Sequence, residues 1–227
     1  MAQVDHLVIA ASTLEEGVAW CERTLGITPG PGGEHPLMGT HNRLFKIASP
    51  LYPSAYFEII AINKGAACAR IQGHKRWFNL ENEALQHQLK QSGPQLIHFV
   101  ASTPRAAPAM QALAALGIDR GELLEASRIT AHGLLSWKIT VRADGQRLMN
   151  GTLPTLIEWG DVHPSSNMTD SGITLQSLTA SQPDTEALHA AYAAIGLQGV
   201  TVSQGPANLI ATMQTPCGLV TLESRGV

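Results

Sequence analysis

Apolar residues in this chain gather into short runs that alternate with stretches of helical period, and one succession recurs three times. The first apolar run, residues 4–11, leads through Ser12 into a stripe of Leu14, Val18, Cys21 and Leu25 that stops at Gly26. The second, 96–101, leads through Ser102 into Ala106, Met110, Leu113 and Ala114 and stops near Gly117. The third, 173–180, leads through Ser181 into Leu188, Ala191, Tyr192 and Ile195 and stops at Gly196. Such stripes predict amphipathic helices. Serine is a good N-cap, Ser12-Thr13-Leu14-Glu15 has capping-box spacing, and Pro104 and Pro183 suit a first turn. Glycine then ends each helix where a left-handed backbone is tolerated.

After each helix come turn residues and further strand candidates. They fall at 43–48 and 55–62, at 134–141 and 153–159, and at 200–203, 209–214 and 219–223. Each unit reads β-α-β-β(-β), so the expected class is α+β, built from repeated βαβββ modules rather than a doubly wound βαβ sheet. The expected division is module one at 1–63, a connector at 64–94 with an amphipathic helix near 80–89, module two at 95–165, and a degenerate third module at 166–227.

Composition narrows the partners. Charged residues are 15% and the net charge is −3, which leaves no basic surplus for a phosphate backbone, so nucleic acid is not expected. No apolar run approaches the ~20 residues of a membrane span. The three cysteines, Cys21, Cys68 and Cys217, are scattered with no CxxC and read as reduced thiols. With no signal peptide evident, a cytoplasmic protein is the expectation.

Four charged or titratable residues interrupt apolar strands: His6 in Asp5-His6-Leu7-Val8, Glu58 in Phe57-Glu58-Ile59, His98 in Ile97-His98-Phe99, and Glu158 in Ile157-Glu158-Trp159. A carboxylate there is costly to bury without a positive partner. By alternation His6 shares a face with Val4 and Val8, Glu58 with Tyr56 and Ile60, and Glu158 with Leu156. If the first two modules pack about a pseudo-two-fold axis, His6, Glu58, His98 and Glu158 converge. Two nitrogens and two oxygens suit one Zn, Fe, Mn, Co or Ni ion, and octahedral coordination leaves two open positions. The alternative is a pair of hydrogen-bonded core histidines, with the glutamates paired to arginines. In the third unit Ser177 stands at the ligand position and Glu223 near the last strand, so no metal is expected there.

The βαβββ modules and the His/Glu/His/Glu order resemble the vicinal oxygen chelate superfamily. Gly39-Thr40-His41-Asn42-Arg43-Leu44, followed by Tyr56-Phe57-Glu58, resembles glyoxalase-like domain proteins. The resemblance implies paired modules forming a cup-shaped sheet with a divalent metal at its floor, held by His6, Glu58, His98 and Glu158. It implies a lyase or isomerase that polarises a small oxygenated substrate and moves a proton through an enediolate, with Glu158 as first choice of base and Glu58 as second. Extradiol cleavage by Fe(II) on His6, His98 and Glu158 is the alternative activity, against which the extra Glu58 argues. A non-catalytic small-molecule binding protein is the third.

Asn42 and Arg43 precede a strand and can reach the cup, where Arg43 would hold a substrate anion or else sit on the surface. Trp137 and Trp77 can line an apolar pocket or fill the core. The loop Gly30-Pro31-Gly32-Gly33-Glu34-His35-Pro36 is a lid or a connector. His35, His41, His74, His87, His132, His163 and His189 fall in expected loops or on helix surfaces and receive no role. Three half-barrel modules leave one cup incomplete, so a homodimer joined through 172–227 is expected.

Overall fold

A computed structural model describes residues 1–66 and 73–226. Module one is β1 (Gln3–Ala10), α1 (Leu14–Leu25), β2 (Glu34–His35), β3 (Thr40–Lys46) and β4 (Tyr56–Ile62). The connector carries α2 (Glu83–Ser92), and Cys68 lies outside the described residues, whereas Cys21 and Cys217 are free thiols. Module two is β5 (Gln95–Ser102), α3 (Ala106–Ala114), β6 (Glu122–Thr130), β7 (Gly133–Val141) and β8 (Thr155–Trp159). The third unit is β9 (Thr174–Gln182), α4 (Thr185–Ile195), β10 (Val200–Gln204), β11 (Asn208–Thr215) and β12 (Gly218–Glu223).

The first two modules share one curled eight-stranded sheet of order β2-β3-β4-β1-β5-β8-β7-β6. Within each, the first strand runs parallel to the last, and β1 and β5 join the modules antiparallel. The sheet curls until its edges approach. A Cβ placed on Gly33, beside β2, would lie 2.1 Å from Arg128 Nη1 on β6. This is the α+β class expected from the repeat and the cup that the resemblance implies.

The third unit keeps the element order but pairs differently. Its sheet is β10-β9-β11-β12, with β9 central rather than at an edge. Leu175, Leu178, Leu209 and Met213 share a core with α1, α3 and the convex face of the large sheet. Tyr52 bolts the two together, its hydroxyl donating to Gly199 O at 2.6 Å and accepting from Leu178 N at 3.0 Å. An apolar face of the third unit thus packs within the chain.

The concave face is filled from another direction. Trp77, Phe78 and Leu80 of the connector, with Leu85 and Leu89 of α2, pack on Val8, Ile60, Ile97, Val100 and Ile157. The amphipathic stripe of α2 explains why it lies there, since Asn82 caps it and its apolar side needs a partner.

The helix starts differ from the serine caps expected. Thr13 caps α1 through Glu16 N, and Asp184 caps α4 through Ala187 N. Arg105 precedes α3 with no side-chain cap. There the Glu158 carboxylate accepts from Ala106 N at 2.7 Å and does the capping from β8. Gly26 and Gly196 end α1 and α4 at φ 79° and 63°, as expected.

Gly17 lies inside α1, where alanine normally stabilises a helix by about 1 kcal/mol. Here a Cβ would come 2.4 Å from Ile59 Cγ2, a fully buried side chain with nowhere to move. Overpacking of that kind costs about 1–3 kcal/mol and outweighs propensity. Gly17→Ala is therefore expected to lower the urea midpoint, and a raised midpoint would show α1 standing off β4.

Candidate active site

The site begins with a bulge. On β1, Val4 pairs with Ala101 and His6 with Val100, leaving Asp5 as the extra residue. A bulge breaks alternation. Val4 therefore joins the convex core with Leu7 and Ile9 instead of sharing the face of His6. Asp5 meets its neighbour instead, with His6 Nδ1 2.7 Å from Asp5 Oδ1. Two more donors converge on Asp5 Oδ2, Trp159 Nε1 and His163 Nε2, each at 2.9 Å. Ser165 N donates to His163 Nδ1, so Nε2 carries the proton that reaches Asp5.

On the other side of the His6 ring, Nε2 lies 3.5 Å from Glu58 Oε2. Tyr56 stacks on the imidazole at 4.5 Å between centroids. Asn42 Nδ2 donates to Glu58 Oε1 at 2.6 Å and faces His35 Nε2 at 3.4 Å, while its Oδ1 accepts from Gly33 N at 2.8 Å. The N–H of Gly33 and the carboxylate of Glu58 leave the amide only this orientation. Gly32 must be glycine, because a Cβ would fall 1.9 Å from Asn42 O.

These contacts set the charges. Burial opposes ionisation of Asp5, yet hydrogen bonds and charges from His163 and His6 hold its carboxyl well below the usual range. Burial also opposes a charged His6, but Asp5 and Glu58 raise it to about 9. Glu58 is lowered against its burial by His6, His35 and Asn42. Burial takes His35 down to about 4, with Glu58 opposing. The result is a protonated imidazole clasped by two carboxylates, with a neutral histidine beside them.

The remaining expected ligands stand elsewhere. His98 faces the same side of the sheet, but Thr155 N donates to its Nε2 at 3.1 Å and Nδ1 lies 2.8 Å from Gly151 O. A backbone N–H only donates, so the ring is the neutral Nδ1–H form with its lone pair occupied. Burial and the charges of Arg120 and Arg147 push it well below the usual histidine range. Glu158 shares its side of β8 with Leu156 of the convex core and caps α3, while Ile157 faces the cup. The parity expected for Glu158 is as drawn, but Leu156 marks the helix-covered face. Among the described residues no group of three or more His, Cys, Asp or Glu is placed to hold a metal ion. The structure thus joins His6 to Glu58 and leaves His98 and Glu158 apart, so these side chains as arranged do not fit a shared divalent cation.

Of the residues expected to contact substrate, Asn42, Trp77 and Trp137 line a cavity of about 40 Å³ with His6 and Glu58. Arg43 does not. It pairs with Ile59 of the convex side and is exposed, near Glu15. Among the described residues the arginine that lines this cavity is Arg128, on the edge strand β6. That strand escaped the pattern because its residues are all exposed or half-buried, with no long apolar run. Asp5 was masked by the bulge. The sequence gives His35 and His163 no role, and only their spatial neighbours, Asn42 and Asp5, reveal their place in the site.

Histidine titration should separate these environments. In ring NMR, His6 is expected to titrate near pH 9 and His35 near pH 4, with His98 neutral above its ordinary 6.5. A His6 raised from 6.5 to about 9 by folding contributes stability that is complete below 6.5 and lost as pH rises through about 9. His6→Gln should flatten that stretch of the stability profile. An ordinary titration of His6 near 6.5 would contradict the clasp.

No curated protein matches the sequence. Among solved structures, a hypothetical protein from Staphylococcus aureus superposes with a TM-score of 0.61 at 10% identity, covering 91% of this chain and 88% of that one. Methylmalonyl-CoA epimerase from Mycobacterium tuberculosis superposes with a TM-score of 0.39 at 14% identity, over 69% of this chain and 85% of that one. The former likeness shows a shared fold. No helix among the described residues is long and apolar enough to cross a membrane. The glyoxalase-like domain model matches residues 4–196, both paired modules and the third unit through α4, and the chain therefore belongs to the glyoxalase-like domain family of the vicinal oxygen chelate superfamily.

Proposed function

We propose that the cup catalyses proton transfer on a small carbonyl compound, as an isomerase or lyase, with Glu58 as base and protonated His6 as its acid partner. The observation that carries this is the buried Glu58–His6 pair at 3.5 Å, opening on an aromatic-lined cavity. Its two members are driven apart in proton affinity. Glu58 is lowered and so ionised, while His6 is raised to about 9 and so charged. A carboxylate beside an imidazolium can take a proton from the carbon next to a carbonyl while the N–H stabilises the oxygen that becomes negative. Returning the proton to the same carbon or its neighbour completes an isomerisation.

Asp5 holds the imidazole from behind, fixing Nε2 toward the cavity and stabilising its charge. Asn42 orients the carboxylate. Glu158, bound to the start of α3, takes no part. Divalent metals are common in this superfamily, but the donors here are engaged with one another, and the chemistry proposed uses only the chain's own acid and base.

The test is solvent deuterium exchange into small 2-oxo and 2-hydroxy carbonyl compounds, followed by proton NMR. Glu58→Gln should reduce exchange by about 100-fold or more, the scale of a lost general base. Glu158→Gln should leave it unchanged, and so should prior treatment with EDTA. The rate should hold through neutral pH and fall as His6 deprotonates near 9. Exchange that survives Glu58→Gln, or that EDTA abolishes, would overturn the assignment. Binding without any exchange would make the cup a binding site.

A further inference from the structure

Arg128 takes no part in the proton transfer, yet among the described residues it is the arginine that lines the inner cavity. It lines the inner cavity with Glu58 and Asn42, and also an adjoining space of about 300 Å³ between the two sheet edges. Its Nη1 is buried and has no hydrogen-bond partner. Gly33 leaves it room, since any Cβ there would occupy the place of Nη1. A second donor repeats the pattern independently. Trp77 is 7% exposed, lines the same two spaces, and its Nε1 is likewise buried without a partner. Buried donors without acceptors are costly and uncommon, and both of these belong to side chains that line the same two spaces.

We infer that the molecule taken into this cup, the substrate site of the proposal above on which this inference rests, carries a carboxylate that Arg128 grips. Charge favours a carboxylate over a phosphate. Glu34 and Glu125 border the larger space and Glu58 closes the smaller, and these carboxylates repel a doubly charged phosphate more than a singly charged carboxylate. Its planar fork also matches the two oxygens of a carboxylate. A volume of about 300 Å³ is at the low end for ligand sites, which suits an acid of a few carbons. With its carboxylate on Arg128, the carbonyl carbon of a 2-oxo acid extends toward Glu58 and His6. Arg128 is then the residue that selects the substrate class.

Trp77, Trp137 and Trp159 border the inner cavity, so tryptophan fluorescence can report binding. The probes are 2-oxobutyrate, its neutral counterpart 2-oxobutanamide, and inorganic phosphate as competitor. The intact protein should bind the acid at least about tenfold more tightly than the amide, the scale of a charged hydrogen-bonded pair. Arg128→Gln should erase that preference by weakening the acid far more than the amide, and Arg128→Lys should keep part of it. Gly33→Ala should act like Arg128→Gln, because its methyl displaces an intact guanidinium. Trp77→Phe should weaken the acid a few-fold. Equal binding of acid and amide, binding of neither, phosphate outcompeting the acid, or a preference that survives Arg128→Gln would overturn the inference. Acid selectivity that depends on Arg128 in a protein that exchanges no proton would sink the proton-transfer proposal and leave the grip standing. Equal exchange of acids and amides would do the reverse.

Discussion

The protonated imidazole of His6, held between the carboxylates of Asp5 and Glu58, is the interaction on which the rest of the site depends. All three residues are at most 4% exposed, in a sheet whose neighbours are valine, isoleucine and phenylalanine. Charges so placed persist only when their remaining lone pairs and protons are satisfied. Trp159 and His163 satisfy Asp5 on one side, and Asn42 satisfies Glu58 on the other. Removing one partner of such a buried pair typically costs about 3–5 kcal/mol, because the other charge is stranded. The chain of contacts also ties distant parts of the polypeptide together, from β1 to β3 and β4, to the end of β8, and to the segment that leads into the third unit.

The curvature of the sheet decides what this clasp can do. One face is sealed by α1, α3 and the third unit, and the other is partly filled by the connector. What stays open is the corner beside His6 and Glu58, roofed by Trp77 and reached between the β2 and β6 edges. In module two the corresponding histidine, His98, is locked by Thr155 and Gly151 under Phe78. The duplicated fold thus supports one open corner with a histidine–glutamate pair and one closed corner with a hydrogen-bonded histidine. The asymmetry comes from what meets each ring, a carboxylate in one module and a backbone N–H in the other.

Much of this was legible in the chain. The recurring apolar run, helical stripe and terminal glycine give the modules and their order, because period and backbone freedom are local properties. A glutamate inside the apolar strand at Glu58 was readable from the chain, whereas the pairing that sets Asn42 opposite Ile60 of the cup face belongs to the fold. Parity also separates Asn42 from Arg43, once it is known which face is concave. That last fact is tertiary. Glu158 has the expected parity, and only the packing of α3 shows its face to be the covered one.

What the sequence alone determined is the repeat, the α+β class and the rarity of charge inside apolar strands, all consequences of residue type and spacing. What the tertiary structure decided is which of those charges meet. A one-residue bulge turned Asp5 toward His6, an uncapped helix claimed Glu158, and a backbone amide claimed His98. An exposed edge strand without an apolar run carried Arg128 across to Gly33. Each outcome depends on a partner far along the chain, and pairing between distant residues leaves no mark in the local pattern of either.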